Sequence, residues 1–171
     1  MFDAIVEAAA AESPLWGEAA LPEDARLHVS VFSVLAPEAH ALGLETIYEG
    51  YLVHYGRSRL FAPADRDTAL LLGDYLYAHG LVHVADSGDV AAVSDLAELI
   101  SLSAQARADG RDGDGAAWAA TSASLGGGGL DLARAALRER GDSSMLDAVA
   151  RVVAGDEAVD AALAAHTRFV G

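Results

Sequence analysis

The 171-residue chain has no cysteine and no lysine. The first absence removes disulfides, thiolate nucleophiles, zinc ribbons and iron–sulfur clusters. The second removes Schiff-base chemistry, the P-loop lysine and the ATP-binding lysine of protein kinases. All 11 basic residues are arginine and stand against 26 acidic ones, for a net charge of −15. A pI near 4.5 argues against a nucleic-acid backbone or an anionic membrane as partner, since both attract basic patches. Long apolar runs are missing too. No stretch of about 18 residues is strongly apolar and uncharged, so no membrane span is expected. Met1-Phe2-Asp3 lacks a basic n-region, so a secretory signal is not expected and a cytoplasmic location is. What is abundant is alanine. Its 38 residues account for much of the 53% hydrophobic fraction and the mean hydropathy of +0.25.

Alanine and leucine are strong helix formers, and strand-like alternation of β-branched and aromatic residues is nearly absent. The fold class read from this is all-α, a single domain over 1–171 built as a bundle of about eight helices. Prolines and glycines place the helices near 2–12, 23–36, 38–54, 65–85, 89–108, 115–125, 129–140 and 143–168, the last broken at Gly155. Asp65 reads as the N-cap of the fourth, with Asp67 favoured in its first turn by the helix dipole. Leu70, Leu71, Leu72, Tyr75, Leu76, Ala78, Leu81 and Val82 cover much of that helix's circumference, which predicts a place in the middle of the bundle. On the next helix Val93, Leu96, Ala97, Ile100 and Ala104 make an apolar stripe, leaving Asp95, Glu98 and Arg107 for its wetter sides. The acidic, glycine-rich segment near 109–115 reads as a flexible linker: against a calcium loop, Gly110 and Thr121 fall where essential ligands are needed.

Four segments in order resemble the trans-type polyprenyl diphosphate synthases, enzymes of the isoprenoid synthase fold. Ala69-Leu70-Leu71-Leu72-Gly73-Asp74-Tyr75-Leu76-Tyr77-Ala78 is similar to that family's Leu-x-Gly-Asp-Tyr-Leu-x-Ala segment. The helix from Gly43 to His54 resembles the one that ends in a His just before the family's first aspartate-rich cluster. Leu96 to Gln105 resembles the stretch leading to a Gly-Gln pair, with Ala104 in place of the glycine, and Ala116 to Gly129 a small-residue helix ending in a Leu-Gly pair, here Leu125-Gly126. The resemblance covers roughly residues 40–130 and marks His54, Gly73, Asp74, Tyr75 and Gln105 as the family-motif positions.

In that family two aspartate clusters hold Mg²⁺ ions that grip an allylic diphosphate. Here Tyr55-Gly56-Arg57-Ser58-Arg59 follows His54 with no carboxylate, and the acids beyond residue 130 do not assemble into the second cluster. The resemblance therefore implies a reduced, non-catalytic relative, a pseudoenzyme of isoprenoid biosynthesis. It would act as a homo-oligomer or as the partner of a catalytic prenyl synthase subunit, because loss of metal-held charge removes most of the barrier reduction. Two alternatives stand beside it. One is a small prenyl transferase using Mg²⁺ with scattered acids such as Asp65, Asp67 and Asp74. The other is a module that binds an apolar isoprenoid.

Three arginines, Arg57, Arg59 and Arg66, form the one positive cluster in the first hundred residues and are candidates for holding the oxygens of a prenyl diphosphate. His79 and His83, four apart on one helix, have metal-chelating spacing, and Glu45 and Glu49 on the preceding helix make a similar pair that a mixed site would recruit.

Overall fold

The computed structural model describes residues 1–170, and the fold is an all-α bundle. In chain order the helices are α1 (Phe2–Glu12), α2 (Pro14–Glu18), α3 (Ala41–Tyr55), α4 (Arg66–Ala85), α5 (Val90–Ala108), α6 (Asp114–Ala123), α7 (Asp131–Arg140), α8 (Ser144–Ala154) and α9 (Asp156–Val170). No described helix is long and apolar enough to cross a membrane. Two of the helices open on aspartate caps, the first of them expected from the sequence. Asp65 accepts from Thr68 N (2.8 Å) at the start of α4, and Asp89 accepts from Ala92 N (2.9 Å) at the start of α5. Gly155, at φ +87°, separates α8 from α9 as expected.

One expected helix is absent. Residues 23–36 form only two single 3₁₀ turns, Glu23–Ala25 and Ser33–Leu35, with irregular chain between them. Val29 and Val31 disfavour helix. More important, the backbone here is committed to tertiary partners: Leu27 N donates to Arg59 O (3.0 Å), and Val31 N and Ser33 N donate to the Glu45 carboxylate. A helix would turn those donors inward on itself.

The middle of the bundle is α3, not α4. Every residue from Gly43 to Leu52 is buried. On one side, Leu44, Ile47, Tyr48 and Tyr51 join Phe32, Trp118 and the inner faces of α5, α6, α8 and α9. A smaller core gathers Phe2, Ile5, Val6, Leu60, Phe61, Leu72 and Leu76 from α1, α4 and the loop before α4. The α3–α4 pair is close because glycine faces glycine. A Cβ on Gly80 would come within 2.7 Å of Gly43 O, and one on Gly50 within 2.9 Å of Gly73 O. Gly43 and Gly50 are one heptad apart, as are Gly73 and Gly80, so two antiparallel helices meet at both points. Helix α4 is consequently peripheral, and Leu71 and Val82 on its outer face remain 58% and 57% exposed.

The buried face of α5 is also turned from the expected one. Ala92, Asp95, Leu96, Leu99, Leu102, Ser103 and Ala106 face inward, while Ala97 is exposed. Asp95 is held inside by Arg134 of α7 (2.9 Å) and by Gly126 N (3.0 Å), so a carboxylate expected on the wet side serves as an internal tie.

Candidate functional site

Glu45 and Glu49 lie one helical turn apart on α3 and face the loop between α3 and α4. Arg59 enters from that loop with its side chain wholly buried. Its Nη1 donates to Glu45 Oε2 (2.6 Å) and to Val29 O (2.5 Å), its Nε to Glu49 Oε2 (2.8 Å), and its Nη2 to Glu45 O (3.3 Å). The second oxygens are occupied as well. Glu45 Oε1 accepts from Val31 N and Ser33 N (3.0 and 3.1 Å), and Glu49 Oε1 from Arg59 N and Leu60 N (2.8 and 2.9 Å). Burial pulls the Arg59 pKa down, but the two carboxylates outweigh it and raise the value overall. The guanidinium lies over both Tyr48 and Phe2, at 5.0 and 5.2 Å, and so spans the two apolar cores.

This arrangement corrects two expectations from the sequence. Arg59 does not face a ligand, because it is needed to neutralise two carboxylates inside the core. Glu45 and Glu49 do not join His79 and His83 in a mixed metal site, because their oxygens are consumed by Arg59 and backbone N–H groups. Among the described residues no cluster of three or more metal-ligating side chains occurs.

Of the other two arginines, Arg57 borders a cavity of about 300 Å³ with Ser58 and Arg59, and Arg66 lies at a different one. Arg57 donates its backbone N–H to Phe169 O (2.7 Å), and its guanidinium sits over the Phe169 ring of α9. Arg66 lines a cavity of about 420 Å³ with Val53, His54, Tyr55, Ala69 and Leu70. Three of the residues that the resemblance marks, His54, Gly73 and Asp74, lie together beside it. The His54 ring packs against Gly73, where a Cβ would collide with the imidazole, and Nε2 lies 3.2 Å from Asp74 Oδ1 without hydrogen-bond geometry. Tyr75 instead stacks on Trp16 (4.2 Å) on another side of α4, and Gln105 accepts from Arg138 Nε (3.1 Å) at the surface.

Burial lowers the His54 pKa, and Asp74 only partly restores it. The native state therefore resists a proton that the unfolded chain accepts below about pH 6.5, and this contribution to stability is present above that pH and lost as it falls. His79 is lowered in the same way, by burial and then by His83, with Glu12 opposing. We expect His54→Gln to flatten part of the stability profile between pH 7 and 5, measured by urea midpoints. An unchanged slope would show that His54 does not carry this effect.

A second polar cluster went unnoticed in the sequence. Asp114, expected in the flexible linker, opens α6 and is buried. It accepts from the Tyr51 hydroxyl and from Arg107 Nη2 (2.7 Å), while Arg107 Nε donates to the same Tyr51 oxygen (2.8 Å). His166 Nε2 is 3.5 Å away, and His166 Nδ1 pairs with Tyr48 OH (3.0 Å). Burial opposes ionisation of Asp114, but His166, the Tyr51 hydrogen bond and the Arg107 charge together hold its carboxyl far below the usual range. Burial pushes the phenols of Tyr48 and Tyr51 up, so both remain neutral donors. The missed signal was spacing: Tyr48 and Tyr51 share a face of α3 with Leu44 and Ile47, and buried tyrosines need polar partners.

The arrangement can hold helices together without exposing a reactive group. The Glu45–Glu49–Arg59 cluster is internally satisfied, whereas His166 Nε2 in the second has no hydrogen-bond partner, and Phe32, Tyr48, Tyr51, Trp118 and His166 fill the space between α3, α6 and α9 with rings 5.0–6.0 Å apart. A groove of about 620 Å³ at Val34 and the α8–α9 junction is lined by Asp156 and Glu157 with small apolar residues and lies apart from the His54 cavity. No protein-family model, curated protein or solved structure matches the chain.

Proposed function

We propose that the chain is a reduced, isoprenoid-synthase-like helical subunit, not catalytic alone, that works by packing against another copy or a catalytic prenyl synthase subunit. One observation carries this reading above all. A helix whose sequence is apolar nearly all round stands at the edge of the bundle with Leu71, Ala78, Val82 and Ala85 facing out. An apolar helix face left open in this way calls for a covering surface, and oligomerisation is the usual means of supplying one. The interior supports the non-catalytic part. The loop after His54, where the resemblance would put a metal-holding cluster, delivers Arg59 to Glu45 and Glu49, and aromatic rings occupy the centre. With both carboxylates of α3 used internally, neither is left to grip an ion beside a diphosphate.

Size-exclusion chromatography with mass measurement tests the proposal, on the chain alone and co-expressed with a synthase subunit carrying both aspartate clusters. The expected result is a dimer or a mixed oligomer that Leu71→Glu with Val82→Glu converts to monomer while helical content is retained. A native chain that is monomeric under both conditions would sink it. Chain elongation after incubation with Mg²⁺, an allylic diphosphate and isopentenyl diphosphate would replace it with the prenyl transferase reading.

A further inference from the structure

Apart from the core clusters, α4 carries an unusual aromatic file. Trp16 of α2 stacks on Tyr75 with centroids 4.2 Å apart, Tyr75 stacks on His79 at 5.2 Å, and the His79 and His83 rings meet edge to face at 4.6 Å. Both histidines are half-buried rather than enclosed. Their Nε2 atoms point at each other across 3.2 Å. Without a third party one nitrogen must be the donor and the other the acceptor, so the contact is a hydrogen bond only when one Nε2, and not both, carries a proton.

That geometry is also what a cation needs. Two imidazole nitrogens each about 2.0–2.1 Å from one ion, and 3.2 Å from each other, subtend an angle of about 100°, between the square-planar and tetrahedral values. Stacking on Tyr75 holds His79 and the helix holds His83 one turn later, so a small tilt of the rings suffices to aim both nitrogens at one ion. Glu12, at the end of α1, exerts its negative charge on both Tyr75 and His79, and so favours a cation at this edge. No third histidine, aspartate or glutamate completes the set among the described residues, which leaves the remaining coordination positions for water.

We propose that His79 and His83 form a two-histidine clamp for a late first-row divalent cation, favouring Cu²⁺ over Ni²⁺ and Zn²⁺ and not binding Mg²⁺ or Ca²⁺. Imidazole suits the former ions and oxygen donors the latter, and a site with no imposed geometry follows the general affinity order. The clamp does not depend on the proposed subunit role, since it needs only α4 and its neighbours.

The test is titration of the full chain with Cu²⁺, Ni²⁺, Zn²⁺ and Mg²⁺ by calorimetry, with electron paramagnetic resonance at one equivalent of Cu²⁺. The expected result is one Cu²⁺ per chain, a spectrum showing two coordinated imidazole nitrogens, and a rise in melting temperature on binding. His79→Gln and His83→Gln should each lower Cu²⁺ affinity at least about tenfold, whereas His28→Gln, on the exposed histidine near Asp3, should not. The spectrum of the unaltered chain stands whether or not a variant folds. A one-nitrogen spectrum, Mg²⁺ binding equal to that of Cu²⁺, or affinity insensitive to either substitution would each overturn the clamp.

Discussion

Replacing Arg59 by methionine is expected to cost about 3–5 kcal/mol, the usual penalty for breaking a buried ion pair by removing one partner. Glu45, Glu49 and Arg59 are all fully buried, so the abandoned carboxylates have no water to return to. Their remaining N–H donors come from Val31, Ser33, Arg59 and Leu60, and these tie two loops to α3. Loss of the charge therefore loosens both cores at once. Native domains are stable by only about 5–15 kcal/mol, so this single change takes a large share of the total. The informative comparison is the triple variant Glu45→Gln, Glu49→Gln, Arg59→Met. It removes all three charges while keeping oxygen acceptors for the backbone N–H groups, and it should recover much of the loss. Urea denaturation decides: an Arg59→Met variant within about 1 kcal/mol of the native chain would mean that the carboxylates find neutralisation elsewhere.

Asp114→Ala should destabilise by about 2–3 kcal/mol, because it strands the Tyr51 hydroxyl proton and removes a charged partner from Arg107. The smaller figure reflects Arg107, whose side chain is 28% exposed and keeps some solvation. The pH dependence gives a second reading. The Asp114 pKa is depressed in the folded state, so its stabilisation is present above about pH 3.9, the unfolded value, and is lost as pH falls below it. The variant should lose less stability than the native chain between pH 5 and 2. Parallel acid profiles, measured by urea midpoints across that range, would show that the cluster does not stabilise the ionised form.

These two residues mark where reading the chain in order breaks down. Arg59 looked like part of an exposed positive cluster because Arg57 and Arg66 flank it, and Asp114 looked like linker because three glycines surround it within Gly110 to Gly115. Local composition is a statement about neighbours in sequence. The partners that bury these groups, Glu45 and Glu49 for one and Tyr51 and Arg107 for the other, lie 7–63 positions away. Asp95 shows the same limit, since its partner Arg134 is 39 positions distant. The glycine contacts between α3 and α4 were more accessible. A heptad separation in each of two successive helices is visible in the chain, although which glycine meets which is settled by the antiparallel packing.

Helix content, most helix boundaries, the Asp65 cap and the break at Gly155 followed from the sequence alone. They depend on propensity and on hydrogen bonds within a few residues, which travel with the local chain. The absence of a cysteine-based or lysine-based chemistry was equally plain, because an absent residue type is absent in every conformation. Tertiary structure alone decided that α3 is central and α4 peripheral, that residues 26–32 form no helix, and that Arg59, Asp95 and Asp114 are internal. Each of these depends on a pairing between distant groups, and the desolvation cost of a buried charge is met only when the whole fold brings its partner to it.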